Sequence, residues 1–262
     1  MRMAVVGAGG FLGGFLAQSL RDAGHEVLAL GRGDPLPTEP VDVLVDCNGD
    51  ARRFWANANP AASFAANVAS VAARATAGLA DRYVFMSTMD VYGKGCRAPA
   101  SSGEDAVIEP SGLDVYAFHK FLAEQLVARH AARSLILRLG TLIGPGLKKN
   151  PVFDAINGNP IRQTPDSTLS LVDLAHVAKA LAMLLEMGDE GVYNVTAAAP
   201  ITIRRMLDVV AGAHGRPSPD FHAELLHTDY DISIEKLSAL MTMPDSETML
   251  KASLPFITAG AA

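Results

Sequence analysis

Met3-Ala4-Val5-Val6 is a short apolar run that breaks into Gly7-Ala8-Gly9-Gly10-Phe11-Leu12-Gly13, after which Phe15, Leu16 and Leu20 recur at helical spacing. Few folds accommodate an apolar strand, a glycine turn and a helix in that order. Glycines let a backbone approach a bound group closely, and the helix start offers N–H groups and the positive end of a dipole to a pyrophosphate. The turn therefore predicts the first strand–helix unit of a doubly wound parallel sheet. It makes Gly7, Gly9, Gly10, Phe11, Leu12 and Gly13 candidate cofactor contacts. A glycine turn that serves packing alone is the competing reading.

The next junction selects the cofactor. Glu26-Val27-Leu28-Ala29-Leu30 reads as the second strand and runs into Gly31-Arg32-Gly33-Asp34. An acid at the end of that strand accepts hydrogen bonds from a ribose 2′-hydroxyl, whereas an arginine suits a 2′-phosphate. Gly31 stands where the acid is expected and Arg32 follows, which favours NADP over NAD; Asp34 on the ribose is the opposing reading. Val41–Asp46 is a third strand, and ligands gather at the carboxyl ends of such strands, so Asn48 and Gly49 join the candidates. Trp55 reads as a packing anchor, and the alanine-rich run from Pro60 through Leu79 as one long helix with Asn67 a polar interruption. Further strands are predicted at Arg82–Met86, Ser134–Leu139 and Gly191–Val195, with Thr202 capping a helix that runs to His214.

Composition sets the bounds. A chain of 262 residues that is 49% hydrophobic and 19% charged buries one sizeable core, and its net charge of -6 gives no basic footprint for nucleic acid or an anionic membrane. No apolar run reaches the length of a membrane span, and the N-terminus lacks a signal segment. Cys47 and Cys96 carry no metal-ligand spacing and read as reduced thiols of a cytoplasmic protein. His222, His227, Asp229 and Asp231 match no strong ligand pattern either, so no metal is expected. His119 and His176 read as packed or surface histidines, and Met241, Met243 and Met249 as a pliable apolar lobe or subunit contact.

The chemistry is concentrated in two places. Ser87 and Thr88 end the strand that begins near Arg82, and Tyr116 and Lys120 lie four residues apart on one face of a helix. An ammonium beneath a phenol draws the tyrosine pKa down from about 10 toward the range of a general acid or base. Ser87 by itself reads as a strand-end hydroxyl bonded to backbone.

These motifs together resemble the extended short-chain dehydrogenase/reductases, the group of NAD(P)-dependent epimerases, dehydratases and reductases. The resemblance rests on the glycines at 7, 10 and 13, Asn59-Pro60 followed by Asn67, Ser87-Thr88 with Val91-Tyr92-Gly93, Tyr116 with Lys120, Arg138-Leu139-Gly140 before Gly144-Pro145-Gly146, and Val192-Tyr193-Asn194-Val195. It implies a Rossmann-type core over 1–146, a small substrate lobe over 147–172 and 217–262, and a return to the core over 173–216. It further implies that Thr88 holds the substrate oxygen, Tyr116 passes the proton, Lys120 binds the nicotinamide ribose, and Gly140 and Thr141 lie at the cofactor. A homodimer is also a family expectation.

Departures from the pattern narrow the activity. Dehydratases of the group place an Asp-Glu pair after the threonine, whereas Met89 and Asp90 stand here, and a thioether cannot protonate a leaving hydroxyl. Asp166 occupies the place of an arginine that meets the substrate diphosphate in nucleotide-sugar enzymes, which opens the choice to a smaller carbonyl compound. The expectation is an NADPH-dependent ketoreductase acting on a sugar, nucleotide-sugar or related carbonyl substrate. Epimerisation with retained NAD is the alternative, and a non-enzymatic NADP sensor a second one.

Overall fold

The structure is a computed structural model that describes residues 1–93, 95–96, 102–215 and 217–257. The chain divides into two compact units. The first comprises Met1–Gly93, Ile108–Arg138 and Ala178–Tyr193; the second comprises Lys94–Val107, Leu139–Val177 and Asn194–Ala262.

The first unit is built on a six-stranded sheet. Strands β1 (Arg2–Val6), β2 (Glu26–Leu30), β3 (Val41–Asp46) and β4 (Ala80–Thr88) are followed by Ser134–Leu139 and Gly191–Val195. Across the sheet the order is Gly191–Val195, Ser134–Leu139, β4, β3, β1, β2. β1 is parallel to both β2 and β3, and β3 is parallel to β4. This is the doubly wound Rossmann-type sheet that the opening glycine turn predicts. The strands are near-continuous apolar runs because both sheet faces are covered: Met3, Ala4, Val5, Leu44, Val45, Val84 and Phe85 have no exposed surface. The chain leaves β1 toward β2 on one side and comes back to β3 on the other, so the strand order reverses at β1. Val6 pairs with Leu30 and with Asp46. Gly7, Gly31 and Cys47 therefore emerge together at the carboxyl edge, where the sheet opens a crevice.

Helix α1 (Phe11–Asp22) follows the glycine turn, and α2 (Arg53–Ala58) follows β3. The predicted long helix after Pro60 is interrupted and shorter: α3 (Pro60–Phe64), a π-helical turn over Ala65–Ala69, then α4 (Ser70–Ala75). Asn67 is the cause on which the interruption centres. Its Oδ1 accepts from the Asp50 N–H at 2.9 Å and its Nδ2 donates to the Asp50 carbonyl at 3.2 Å, so the loop after β3 is bound to the wide turn. Helix α5 (Val115–His130) is started by Asp114, whose carboxylate accepts from the Ala117 N–H at 3.0 Å.

The second unit is made of short paired strands and helices. Thr141–Ile143 runs parallel to Leu171–Asp173, Thr168–Leu169 antiparallel to Ile201–Thr202, and Ile161–Gln163 parallel to Phe221–Leu226. Thr202 caps the helix Ile203–His214 as predicted, accepting from the Arg205 N–H at 3.1 Å. Met241, Met243 and Met249 are buried in this unit, filling its interior as a pliable apolar core. Among the described residues no helix is long and apolar enough to cross a membrane.

Candidate active site

Helix α5 buries an unusual face. Tyr116, His119, Lys120, Ala123, Glu124 and Val127 recur at helical spacing and are all buried, so one stripe carries a phenol, an imidazole, an ammonium and a carboxylate. Lys120 Nζ donates to the Met86 carbonyl at 2.6 Å and lies 3.9 Å from the centroid of the Phe85 ring. The helix is thus tied to the last turn of β4, just ahead of Ser87 and Thr88. Burial presses the Lys120 ammonium down to about 8, against the opposing pull of Asp46 and Glu124.

Tyr116 departs from expectation. Burial and the Asp90 carboxylate raise its pKa well above the usual phenol range, with Asp114 and Asp50 acting in the same sense and Arg53 against them. Lys120 is not among the groups that act most strongly on it, its ammonium being engaged with the Met86 carbonyl and the face of Phe85. The phenol is therefore held protonated.

Ser87 also differs. Its hydroxyl donates to a side chain, the Glu124 carboxylate, rather than to backbone. Glu124 is 1% exposed and takes a second partner, Arg138, with Nη2 at 2.8 Å and Nε at 3.2 Å. Arg138 Nη1 in turn donates to the Tyr92 hydroxyl at 2.8 Å. This buried network joins α5, the end of β4, the turn after it and the strand Ser134–Leu139. The sequence signal for it is an acid one helical turn beyond Lys120, on the same face of the helix as Tyr116 and Lys120. Thr88 is half-buried, and its Oγ1 accepts from the Asp90 N–H at 3.2 Å as it caps the 3-10 turn Met89–Tyr92. His119 is packed, its Nδ1 2.9 Å from Ser63 Oγ, while His176 meets Asp173 at 2.8 Å.

The glycine turn separates into two kinds of position. A Cβ on Gly13 falls 2.3 Å from the Gly7 carbonyl oxygen, and one on Gly7, whose φ is +83°, falls 2.9 Å from Asn48 N. Packing alone demands those two glycines. A methyl on Gly9 meets nothing within 4 Å, and one on Gly10 meets only the Gly7 carbonyl at 3.1 Å. Gly9 thus borders open space that a side chain would fill. No side chain caps α1 and no acid stands in its first turn, so no carboxylate of the helix's own first turn competes with an anion for the N–H groups at its start. These features fit a dinucleotide. Asn48 N donates to Asp46 Oδ1 at 3.0 Å, and Gly49 lies against Asn67, whose Oδ1 is 2.6 Å from where a Cβ would be.

At the end of β2, Asp34 is already engaged: its Oδ2 accepts from the Gly31 N–H at 2.7 Å. Arg32 is exposed and has no hydrogen bond or ion pair among the described residues. Gly140 and Thr141 belong to the second unit. There Gly140 is a packing glycine, since a Cβ falls 2.2 Å from Thr196 Oγ1 and 2.7 Å from the Ser170 carbonyl. Asp166, in the same unit, is exposed and 3.6 Å from Arg204. Cys47 is a free thiol whose pKa is pushed well up by burial and Asp46; the Cys96 side chain lies outside the described residues. Among the described residues no group of three acidic, histidine or cysteine side chains is arranged to hold a metal. In the tail, His227 stands between Thr164 at 2.8 Å and Asp229 at 2.9 Å.

The sequence pattern of the NAD dependent epimerase/dehydratase family matches residues 35–196, and the chain belongs to that family. It is an NAD(P)-dependent oxidoreductase. A dTDP-4-dehydrorhamnose reductase of Mycobacterium tuberculosis is 26% identical over 205 residues, covering 72% of this chain and 67% of that protein. Two solved structures share the fold over 98% of both chains. RMD from Pseudomonas aeruginosa complexed with NADPH superposes with a TM-score of 0.81 at 20% identity. The UDP-glucose 4-epimerase of Thermus thermophilus in complex with NAD does so with a TM-score of 0.76 at 21% identity.

Proposed function

We propose that this protein is an NADPH-dependent reductase of a carbonyl carried by a sugar, a nucleotide sugar or a related small molecule. The observation that carries the reading is the meeting of α5 and the end of β4, where Lys120 is tethered to Met86 and a buried Tyr116 keeps its proton. The nicotinamide supplies the hydride when it is bound, which no side chain can do. Tyr116 donates the proton to the carbonyl oxygen; its surroundings keep it protonated at neutral pH and also make it a weaker acid, so a neighbouring cation that favours the phenolate assists the transfer. Thr88 donates a hydrogen bond to the same oxygen and orients it. Lys120 spends one of its three donors on Met86 and keeps the others for the nicotinamide ribose.

Gly9, Gly10, Phe11 and Leu12 hold the pyrophosphate, Asn48 and Gly49 line the crevice, and Arg32 meets the 2′-phosphate. The likeness to the reductase of M. tuberculosis and to the NADPH-bound fold neighbour supports the same direction. With the family's arginine replaced by Asp166, the diphosphate of a nucleotide sugar needs another cation, which keeps smaller carbonyl compounds in the substrate class. The reading also includes a cytoplasmic homodimer, the dimer being measurable by light scattering.

The test is a fluorescence titration with NADPH and NADH, followed by NADPH oxidation against a carbonyl panel that includes dTDP-4-dehydrorhamnose. NADPH is expected to bind at least about tenfold tighter, a difference of about 1.4 kcal/mol. Tyr116→Phe is expected to abolish turnover and leave cofactor affinity in place; near-normal turnover ends the mechanism. The second reading is epimerisation, favoured by the NAD-bound epimerase among the fold neighbours. Co-purified NAD that does not exchange, with no preference for NADPH, moves it to first place.

A further inference from the structure

Arg53 opens α2, 63 residues before Tyr116 in the chain, and nothing in the sequence motifs singles it out. Its Nη1 lies 3.1 Å from Asp90 Oδ1 and its Nη2 3.0 Å from Asp114 Oδ2. Both carboxylates belong to the segments that carry the reacting hydroxyls. Asp90 N–H donates to Thr88 Oγ1, and Asp114 caps α5 by accepting from Ala117 N–H, one residue beyond Tyr116. One guanidinium thus bridges the turn that follows Thr88 and the cap that precedes Tyr116.

The same bridge is electrostatic. Among the described residues the charged groups that act most on the Tyr116 phenol are Asp90 from the 3-10 turn, Arg53 from α2, Asp114 from the helix cap and Asp50 from the loop after β3; of these Arg53 alone favours the phenolate. Lys120 on the same helix is engaged with Met86 and Phe85. Asp50 is paired with Arg52 at 2.5 Å, whereas Asp90 and Asp114 share Arg53, so removing this guanidinium takes away a cation that offsets both of the latter.

We propose that Arg53 is a positioning residue for the reaction, holding the Thr88 turn against the Tyr116 cap and offsetting the acidic groups that surround the phenol. The proposal rests on the reading of Tyr116 as proton donor. The bridge replaces, from outside the helix, the influence on the tyrosine that the Tyr116–Lys120 spacing leads one to expect of the lysine.

The test follows the phenol directly by 19F NMR of full-length protein carrying ring-fluorinated tyrosine, whose fluorines lower the phenol pKa enough to bring a raised midpoint into range, the Tyr116 signal being assigned with Tyr116→Phe. Spectra are taken from neutral pH to about pH 11, beyond the ordinary phenol range. Asp90→Asn is expected to lower the midpoint, and Arg53→Gln added to Asp90→Asn to raise it again by about half to one pH unit, the moderate size reflecting a partly exposed guanidinium. Arg53→Lys in that background is expected to restore much of the lower midpoint. Identical titrations for Asp90→Asn with and without Arg53→Gln, or a fall on removing Arg53, overturn the proposal. Turnover of Tyr116→Phe tests the proton-donor reading separately, so an unmoved phenol with a dead Tyr116→Phe condemns Arg53 alone.

Discussion

Lys120 shows what a reacting residue does to the protein that holds it. Its ammonium is buried, and its folded pKa of about 8 lies below its ordinary 10.5. The unfolded chain therefore holds that proton more tightly, and the folded state bears the full penalty below about pH 8, part of it between the two values and none above 10.5. Stability attributable to this group rises with pH through that window. The shift corresponds to about 3 kcal/mol, from which the hydrogen bond to Met86 restores about 1 kcal/mol. Lys120→Met is thus expected to stabilise the protein at pH 7 by about 2 kcal/mol while removing turnover, and the gain is expected to vanish by about pH 10. Urea unfolding at the two pH values checks it; a loss of stability at pH 7 contradicts the argument.

At the scale of elements, the glycine turn and the strands were legible because their residues report local needs. Met3–Val6 and Val41–Asp46 are apolar runs closed by breakers, and Thr202 is a cap that acts within three residues. The π turn at Asn67 was not legible, because its cause is a hydrogen-bond exchange with Asp50, 17 positions away. The Glu124–Arg138 pair and the Arg53 bridge escaped for the same reason: their partners are brought together by the sheet and not by spacing. The turn itself mixes two demands that a motif cannot separate. Gly13→Ala is expected to cost about 1–3 kcal/mol through collision with the Gly7 carbonyl. Gly9→Ala has open space around its methyl and an ordinary backbone, so its thermal midpoint is expected to match the parent while NADPH affinity falls at least about tenfold. Unchanged NADPH affinity in Gly9→Ala counts against the turn as the pyrophosphate site.

For the whole molecule, the important fact is interleaving. The first unit takes its residues from Met1–Gly93, Ile108–Arg138 and Ala178–Tyr193, so the sheet that begins at Arg2 is finished by Gly191–Val195. A fragment of residues 1–146 contains every proposed reacting side chain yet lacks that outer strand. It is expected to show no cooperative urea transition, whereas the full chain does; a sharp, reversible transition in the fragment makes 1–146 an autonomous domain. The outer strand has a further consequence during synthesis. Ser134–Leu139 lies between β4 and Gly191–Val195. Until the later segment leaves the ribosome, one side of Ser134–Leu139 presents unpaired N–H and C=O groups to whatever is nearby, including the next copy on the same message. Slowing translation between these two strands therefore lengthens the period in which the nascent chain is open to mispairing, and a chaperone that covers a strand edge is most useful to this protein in that interval.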